Sequence, residues 1–399
     1  MGKLNYLISI SLFLVLAFTH CKKVSDKKVG VKIYAKSAIS ATHVIEGTDG
    51  IINVWGPIRD SATGYFKGVF LHKYDPQLNL INKHEFTNGL QSINAVYNPN
   101  TNGWLLYNYG GTPAILYNCD ANLKVISQAS FKFKNKTSYL LVTDLKFAKN
   151  GNILVASSYL PTGNNYSVTT TGISRLTADL NTIWDYKVPS FSTPRGTVSG
   201  TQSSRISESE DGNIFVFGNA FLPISSTFSY DIFMGKINKN GQMVFLNSER
   251  FSTDNKIVYV GLNQSRLLTI TNVSGIYQFN NFDTISGKIV GQNIMGAQLR
   301  FEAFMAAFED RNCTPLNKES FCTPAISTNT NHVKLMVFYS NLRPFQEYNL
   351  AIPAFYNIWS MANCINHDNK IIIAISYFSL KSTHDFVLLK TNERGETIE

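Results

Sequence analysis

One phrase, written several times over, constrains this chain more than any other feature. Its clearest copy runs from Ser209 to Phe251: a polar turn (Glu210, Asp211, Gly212), an apolar strand, a loop, a second strand, a tight turn and a third strand. The turn-and-strand half recurs as Lys149-Asn150-Gly151-Asn152 before ILVASSYL, Glu210-Asp211-Gly212-Asn213 before IFVFGNAF, and His367-Asp368-Asn369-Lys370 before IIIAISYF. Thr48-Asp49-Gly50 and Asn100 to Gly103 open looser copies. Asn-Gly and Asp-Gly suit a type I′ turn, in which both central residues need positive φ. The apolar runs behind them have strand length and are rich in β-branched and aromatic residues, so they read as strands. The other half is a hairpin: GVFLHKYDPQLNLINKHEF, AILYNCDANLKVISQASF, GISRLTADLNTIWDYKVP, IFMGKINKNGQMVFLNSERF and FVLLKTNERGETIE.

The hairpins close near Phe86, Phe131, Pro189, Phe251, Ile294, Pro353 and Glu399, a spacing of roughly 40–60 residues. A strand-only unit of that period is the mark of propeller blades of four strands each. A blade cannot bury both faces by itself, so neighbours stacked around an axis supply the core. The sequence therefore predicts an all-β fold, a single β-propeller of seven four-stranded blades, with Val258 to Pro353 the least regular part. Because the last hairpin stops at Glu399, the early strand Val31 to Ser37 is available to complete the last blade and close the ring. The composition fits a half-buried pleated surface, with 13% aromatic and only 16% charged residues.

Three segments follow in chain order. Residues 1–20 carry Lys3 and an apolar run from Leu7 to Phe18, too short for the ~20 residues of a membrane-spanning helix, and read as a signal peptide. Its end, Phe18-Thr19-His20-Cys21, resembles a bacterial lipoprotein signal, although Phe18 and His20 replace the usual Leu and small residue. The resemblance implies lipidation of Cys21, with ordinary cleavage or an uncleaved anchor as the other reading. Residues 21–30 form a short basic tether (Lys22, Lys23, Lys27, Lys28), and residues 31–399 the propeller. Membrane attachment through an N-terminal lipid is thus expected. The basic tether favours the periplasmic side of the outer membrane over the cell surface.

Part of the net charge of +9 sits in the signal and tether and the rest is spread singly over turns, as at Lys149, Lys239 and Lys318, with no basic helix or dense stripe, so no nucleic-acid partner is expected. Cys313 and Cys322 flank eight residues inside a polar insertion, and in an oxidising compartment such a pair is expected to form a loop disulfide. Of the other thiols, Cys119 is placed in a hairpin turn and Cys364 on an inner strand.

The run Asp211-Gly212-Asn213-Ile214-Phe215-Val216-Phe217-Gly218 followed by Tyr230-Asp231-Ile232-Phe233-Met234-Gly235-Lys236-Ile237-Asn238-Lys239-Asn240-Gly241, with a second copy from His384 to Gly395, resembles the bacterial β-propeller repeat called SBBP. That family implies a fold and an envelope or secreted location, and carries no catalytic residues. Gly212 and Gly241 are expected to allow turns; Asp231 and Asp385 are expected to accept backbone hydrogen bonds, since a calcium site would need several oxygens converging on one ion.

No H-E-x-x-H, G-x-S-x-G, P-loop or G-x-G-x-x-G motif is present, and neither a cofactor nor a metal is expected. A propeller site would lie at the mouth of the central funnel, lined by the innermost strands. The candidates there are Asp144, Arg205, Glu208 and Trp359. The expected role is a binding or scaffolding module for an envelope protein or a glycan. The alternative is a carbohydrate-active hydrolase or lyase at the funnel.

Overall fold

The computed structural model describes residues 32–34, 40–59, 66–87, 93–108, 114–133, 140–160, 169–193, 196–224, 227–249, 255–263, 266–273, 276–295, 299–300, 314–316, 320–327, 332–339, 346–350, 358–378 and 384–398. Cys21, the signal segment and Cys313 lie outside them.

Among the described residues, strands follow one another as antiparallel meanders. The first sheet is His43–Glu46, Ile52–Arg59, Phe66–Tyr74 and Leu80–Phe86; the second is Ile93–Asn98, Gly103–Asn108, Ala114–Cys119 and Val125–Phe131. The third is Leu140–Phe147, Ile153–Tyr159, Thr170–Leu176 and Thr182–Lys187; the fourth is Gly200–Glu208, Ile214–Ile224, Thr227–Ile237 and Met243–Glu249. The fifth is Asn255–Asn263, Arg266–Val273, Ile276–Asp283 and Ile289–Met295. The sixth is Leu299–Arg300, Ser320–Ser327, Val333–Tyr339 and Gln346–Asn349, with Thr314–Pro315 as an extra pairing. In the seventh, Ile358–Ile365, Ile371–Phe378 and His384–Thr391 are joined by Lys32–Tyr34 as the outermost strand. The register Lys32↔Leu388, Ile33↔Val387, Tyr34↔Phe386 is the closure expected from the sequence.

Among the described residues, sheets one to four and seven are buried on both faces, which explains the unbroken apolar runs. In IIIAISYF, Ile371, Ile373 and Ile375 pack against the sixth sheet, whereas Ile372 and Ala374 pack against the first. Further apolar cores lie between sheets one and two, two and three, three and four, and four and five. On the outer strands Ile81, Ile126, Ile183, Val244 and Val290 are exposed. All five sit where the register slips by one residue. A bulge there interrupts an otherwise pairable edge.

The turns differ from the type I′ expectation. In Ser209–Asn213, Gly212 N–H donates to the Ser209 carbonyl at 3.1 Å and Ser209 N–H to the Asn213 carbonyl at 2.8 Å. Gly212 has φ of 80° and Asp211 is not among the positive-φ residues, so one left-handed residue closes a type I turn, as Gly50 and Gly151 also do. The hairpin turns use the same geometry, with Gly241 (φ 84°) in one and Leu78, Leu123 and Leu180 (φ 62°, 64°, 67°) in others. Those three leucines are buried. Apolar burial offsets the strain that Gly avoids.

At four sheet boundaries a cation at one repeat position ties a sheet to the next. Lys73 Nζ donates to Asn122 Oδ1 at 3.0 Å, Arg175 Nη1 to the Lys239 carbonyl at 3.4 Å, Lys236 Nζ to the Thr284 carbonyl at 3.2 Å, and Lys390 Nζ to the Pro76 carbonyl at 3.1 Å. In each case the acceptor lies in the hairpin turn region of the following sheet, and Lys390 closes the series from the seventh sheet to the first.

Candidate functional site

Two hollows open at the end of the molecule that carries these turns, on either side of the turn Ala148–Asn152. The larger, about 660 Å³, lies between the third and fourth sheets. Its floor is an ion pair: Arg175 Nη2 lies 3.2 Å from Glu208 Oε1, both side chains less than a tenth exposed. Arg175 Nη2 also donates to Asn150 Oδ1 at 3.2 Å, and the Lys149 backbone N–H donates to Glu208 Oε2 at 2.8 Å. Trp184 stands cross-strand from Arg175 and lines the same hollow. A Cβ on Gly241 would come within 2.8 Å of the indole, so the ring is seated on the backbone of the next sheet's turn. Arg175 Nε and Trp184 Nε1 are buried donors without a protein partner.

The smaller hollow, about 370 Å³, is lined by the ends of inner strands from the first, second and third sheets and by His367 of the seventh. That places it at the central channel mouth. His367 Nδ1 lies 2.7 Å from Glu46 Oε2, with the imidazole largely exposed and the carboxylate buried. Glu46 Oε2 also accepts the His367 backbone N–H. Lys146 and Tyr97 complete the lining; the Tyr97 hydroxyl accepts the Thr48 backbone N–H at 3.2 Å, and burial pushes its pKa up.

Glu46, Tyr97 and Glu208 are thus one structural position in three sheets. Each is the last or next-to-last residue of an inner strand and accepts a backbone N–H from the first turn of the preceding sheet. Glu208, a funnel candidate from the sequence, is a sheet-to-sheet latch whose carboxylate also forms part of the floor of the larger hollow. Asp144 follows a bulge in its inner strand, and its carboxylate accepts Leu145 N–H and Ile206 N–H, each at 2.9 Å, bridging the third and fourth inner strands. Arg205 follows the matching bulge of the fourth sheet and is 1% exposed. Trp359 occupies the bulge of the seventh inner strand. Of Asp144, Arg205 and Glu208, only Glu208 lines either hollow.

The thiols also depart from expectation. Cys322 is a free, fully buried thiol whose Sγ accepts the Asn363 amide at 3.3 Å, and the residue cross-strand from it is Thr314. The disulfide expected with Cys313 is therefore not made by Cys322. Cys119 ends a strand rather than lying in a turn, and Cys364 is on an inner strand; both are buried. Burial pushes the Cys119 and Cys322 thiols up to about 12.

Sequence reasoning missed Arg175, Trp184, Glu46 and His367 as site residues. The first pair was detectable as a departure from the repeat: the corresponding cross-strand pairs are Lys73↔Asn82, Asn118↔Ser127 and Lys236↔Phe245.

Neither a protein-family model nor a curated protein sequence matches the chain. Solved structures do. An ulvan lyase of polysaccharide lyase family PL25 is 10% identical, covers 92% of this chain and 97% of its own, and has a TM-score of 0.57. The Dos1 propeller is 11% identical over 92% and 97%, with a TM-score of 0.54. The β-propeller domain of the Trilobed protease from Pyrococcus furiosus is 10% identical over 92% and 96%, at 0.52.

The chain is a β-propeller. Identities this low carry the fold alone. The Trilobed protease propeller is described as having an open velcro topology; here Lys32–Tyr34 supplies the outer strand of the last sheet.

Proposed function

We propose that this propeller is a binding module of the bacterial cell envelope, built of seven SBBP-type blades and held to the membrane by a lipid on Cys21. The basic tether favours the periplasmic side of the outer membrane, and the partner is an envelope protein or a glycan. One observation carries the reading. The carboxylates of Asp144 and Glu208 hold backbone N–H groups that join neighbouring sheets, so these acids serve the scaffold, while an open hollow lies beside Glu208. A pocket of about 660 Å³ falls within the ~300–1,000 Å³ range of ligand sites.

A second reading, a carbohydrate-active lyase or hydrolase, is favoured by the Glu46–His367 pair at the channel mouth. A carboxylate on Nδ1 leaves Nε2 as a proton acceptor or donor. Two of the structural neighbours are polysaccharide lyases, one solved with -[GlcA(1-4)Rha3S]- bound.

The test immobilises the full chain and passes envelope extract over it, then rebinds each retained species in purified form. A purified glycan or protein that binds saturably and is recovered unchanged supports the module. Cleavage of the retained glycan, abolished by His367→Ala, would replace it with the enzyme reading. Metabolic labelling with palmitate checks the anchor: label lost in Cys21→Ser is expected, and an unlabelled wild type would contradict it.

A further inference from the structure

We propose that the hollow between the third and fourth sheets is a saccharide site that takes a neutral, hydroxyl-rich ligand, with Trp184 as its wall and the Arg175–Glu208 pair as its floor. This rests on the binding-module reading and gives it a place and a ligand class.

The first argument is departure from the repeat. At one cross-strand pair of the hairpin, other sheets hold Lys73 with Asn82, Asn118 with Ser127, and Lys236 with Phe245; the third sheet alone among these holds Arg175 with Trp184. A lysine suffices for the tie to the next sheet's turn, as Lys73 and Lys236 show. Arginine adds donors beyond that need, in a planar fork that a lysine lacks.

The second argument is unspent hydrogen bonding. Arg175 is 94% buried, its Nη atoms are bonded, and its Nε–H has no protein acceptor; the Trp184 indole N–H is buried and equally without one. Both residues line the hollow. Buried donors without an acceptor are uncommon and call for an explanation. Asn150 spends its oxygen on Arg175 and on Asn152 N–H, which leaves its amide nitrogen to donate.

The third argument is charge. Lys149, Arg175 and Lys239 are balanced by Glu208, Glu210 and Asp211 around the hollow. With formal charge cancelled, neither a polyanion nor a polycation is favoured. Hydroxyl groups, which both donate and accept, can meet both signs. A flat indole held by Gly241 supplies the apolar surface that the C–H face of a sugar ring requires.

The experiment titrates the full chain with cellohexaose, maltohexaose, mannohexaose, xylohexaose and N-acetylchitohexaose, and with hexagalacturonate as the charged comparison, by calorimetry. One neutral hexasaccharide is expected to bind, with affinity reduced about tenfold in Trp184→Phe, which keeps a ring on Gly241 but removes the N–H. Asn240→Ala, an exposed turn change that leaves the core intact, is expected to weaken it as well, and Lys73→Met at another sheet boundary to leave it unchanged. Binding of none of the neutral sugars, binding insensitive to both site variants, or preference for hexagalacturonate overturns the proposal. The envelope retention assay separates the two levels. A partner retained equally by wild type and Trp184→Phe overturns this site and leaves the binding module standing. A chain that retains nothing overturns the module itself.

Discussion

Lys390 Nζ donates to the carbonyl of Pro76 at 3.1 Å, joining residues 314 apart in sequence across the seam between the last sheet and the first. The same cation position makes the same kind of tie at three other sheet boundaries. The repeat's Lys-Ile-Asn signature is therefore an assembly device. Its lysine is specified by the neighbouring sheet, while the following Ile237 or Thr391 and Asn238 or Asn392 belong to the local strand end and turn. Lys390→Met should destabilise the fold by about 1.5–3 kcal/mol, the worth of a hydrogen bond from a charged group. Urea midpoints of variant and wild type check this; equal midpoints would remove the seam role.

The leucine turns make a less intuitive case. Leu123 holds φ of 64° and is 5% exposed. Leu123→Ala keeps the backbone strain of about 1–2 kcal/mol and loses the burial, whereas Leu123→Gly loses the burial and relieves the strain. Leu123→Gly should therefore be the more stable of the two by about 1 kcal/mol, in urea melts compared side by side.

His72 is buried beside Phe70, Phe386 and the Tyr74 hydroxyl, and desolvation, helped by Lys83, lowers its pKa from 6.5 to about 4. The unfolded chain takes up a proton below pH 6.5 that the folded chain refuses until about pH 4. Stability should therefore fall as pH drops through that window, by up to about 3 kcal/mol, and the His72 contribution should level off below it. His72→Gln should flatten the slope of unfolding free energy against pH between 6.5 and 4; an unchanged slope would place the titration elsewhere.

The described thiols are sealed. Cys119, Cys322 and Cys364 should resist alkylation in the native protein and react fully in urea without a reducing agent. Peptide mass spectrometry of iodoacetamide-treated samples reads this directly. A Cys322 peptide that alkylates only after reduction would restore the disulfide.

What the sequence made legible was the repeat and everything that follows from it locally: strand runs such as IFVFGNAF, the glycines at Gly212 and Gly241, and closure by the N-terminal strand. Turn type was misread because Asp-Gly is compatible with both a type I′ turn and a type I turn closed by one left-handed residue; only the backbone φ at Asp211 separates them. The site was misread for a different reason. Inner-strand position suggested that Asp144 and Glu208 face a funnel, but their partners, Ile206 N–H and Lys149 N–H, belong to a neighbouring sheet's strand and turn, and no spacing in one dimension reveals them. Arg175 and Trp184 were visible only as a break in the pattern that had been used to find the pattern.

Ligand held between the third and fourth sheets, with the nearby acids serving the scaffold, should protect a defined set of backbone amides. Hydrogen exchange of the full chain, read by mass spectrometry with and without the retained envelope partner, tests this most directly. Slowed exchange at Lys149, Asn150 and Asn152 and at Lys239 to Gly241, with the channel mouth unaffected, is the result predicted. Protection centred instead on Gly47, Thr48, Tyr97 and His367 would contradict it and move the site to the Glu46–His367 pair.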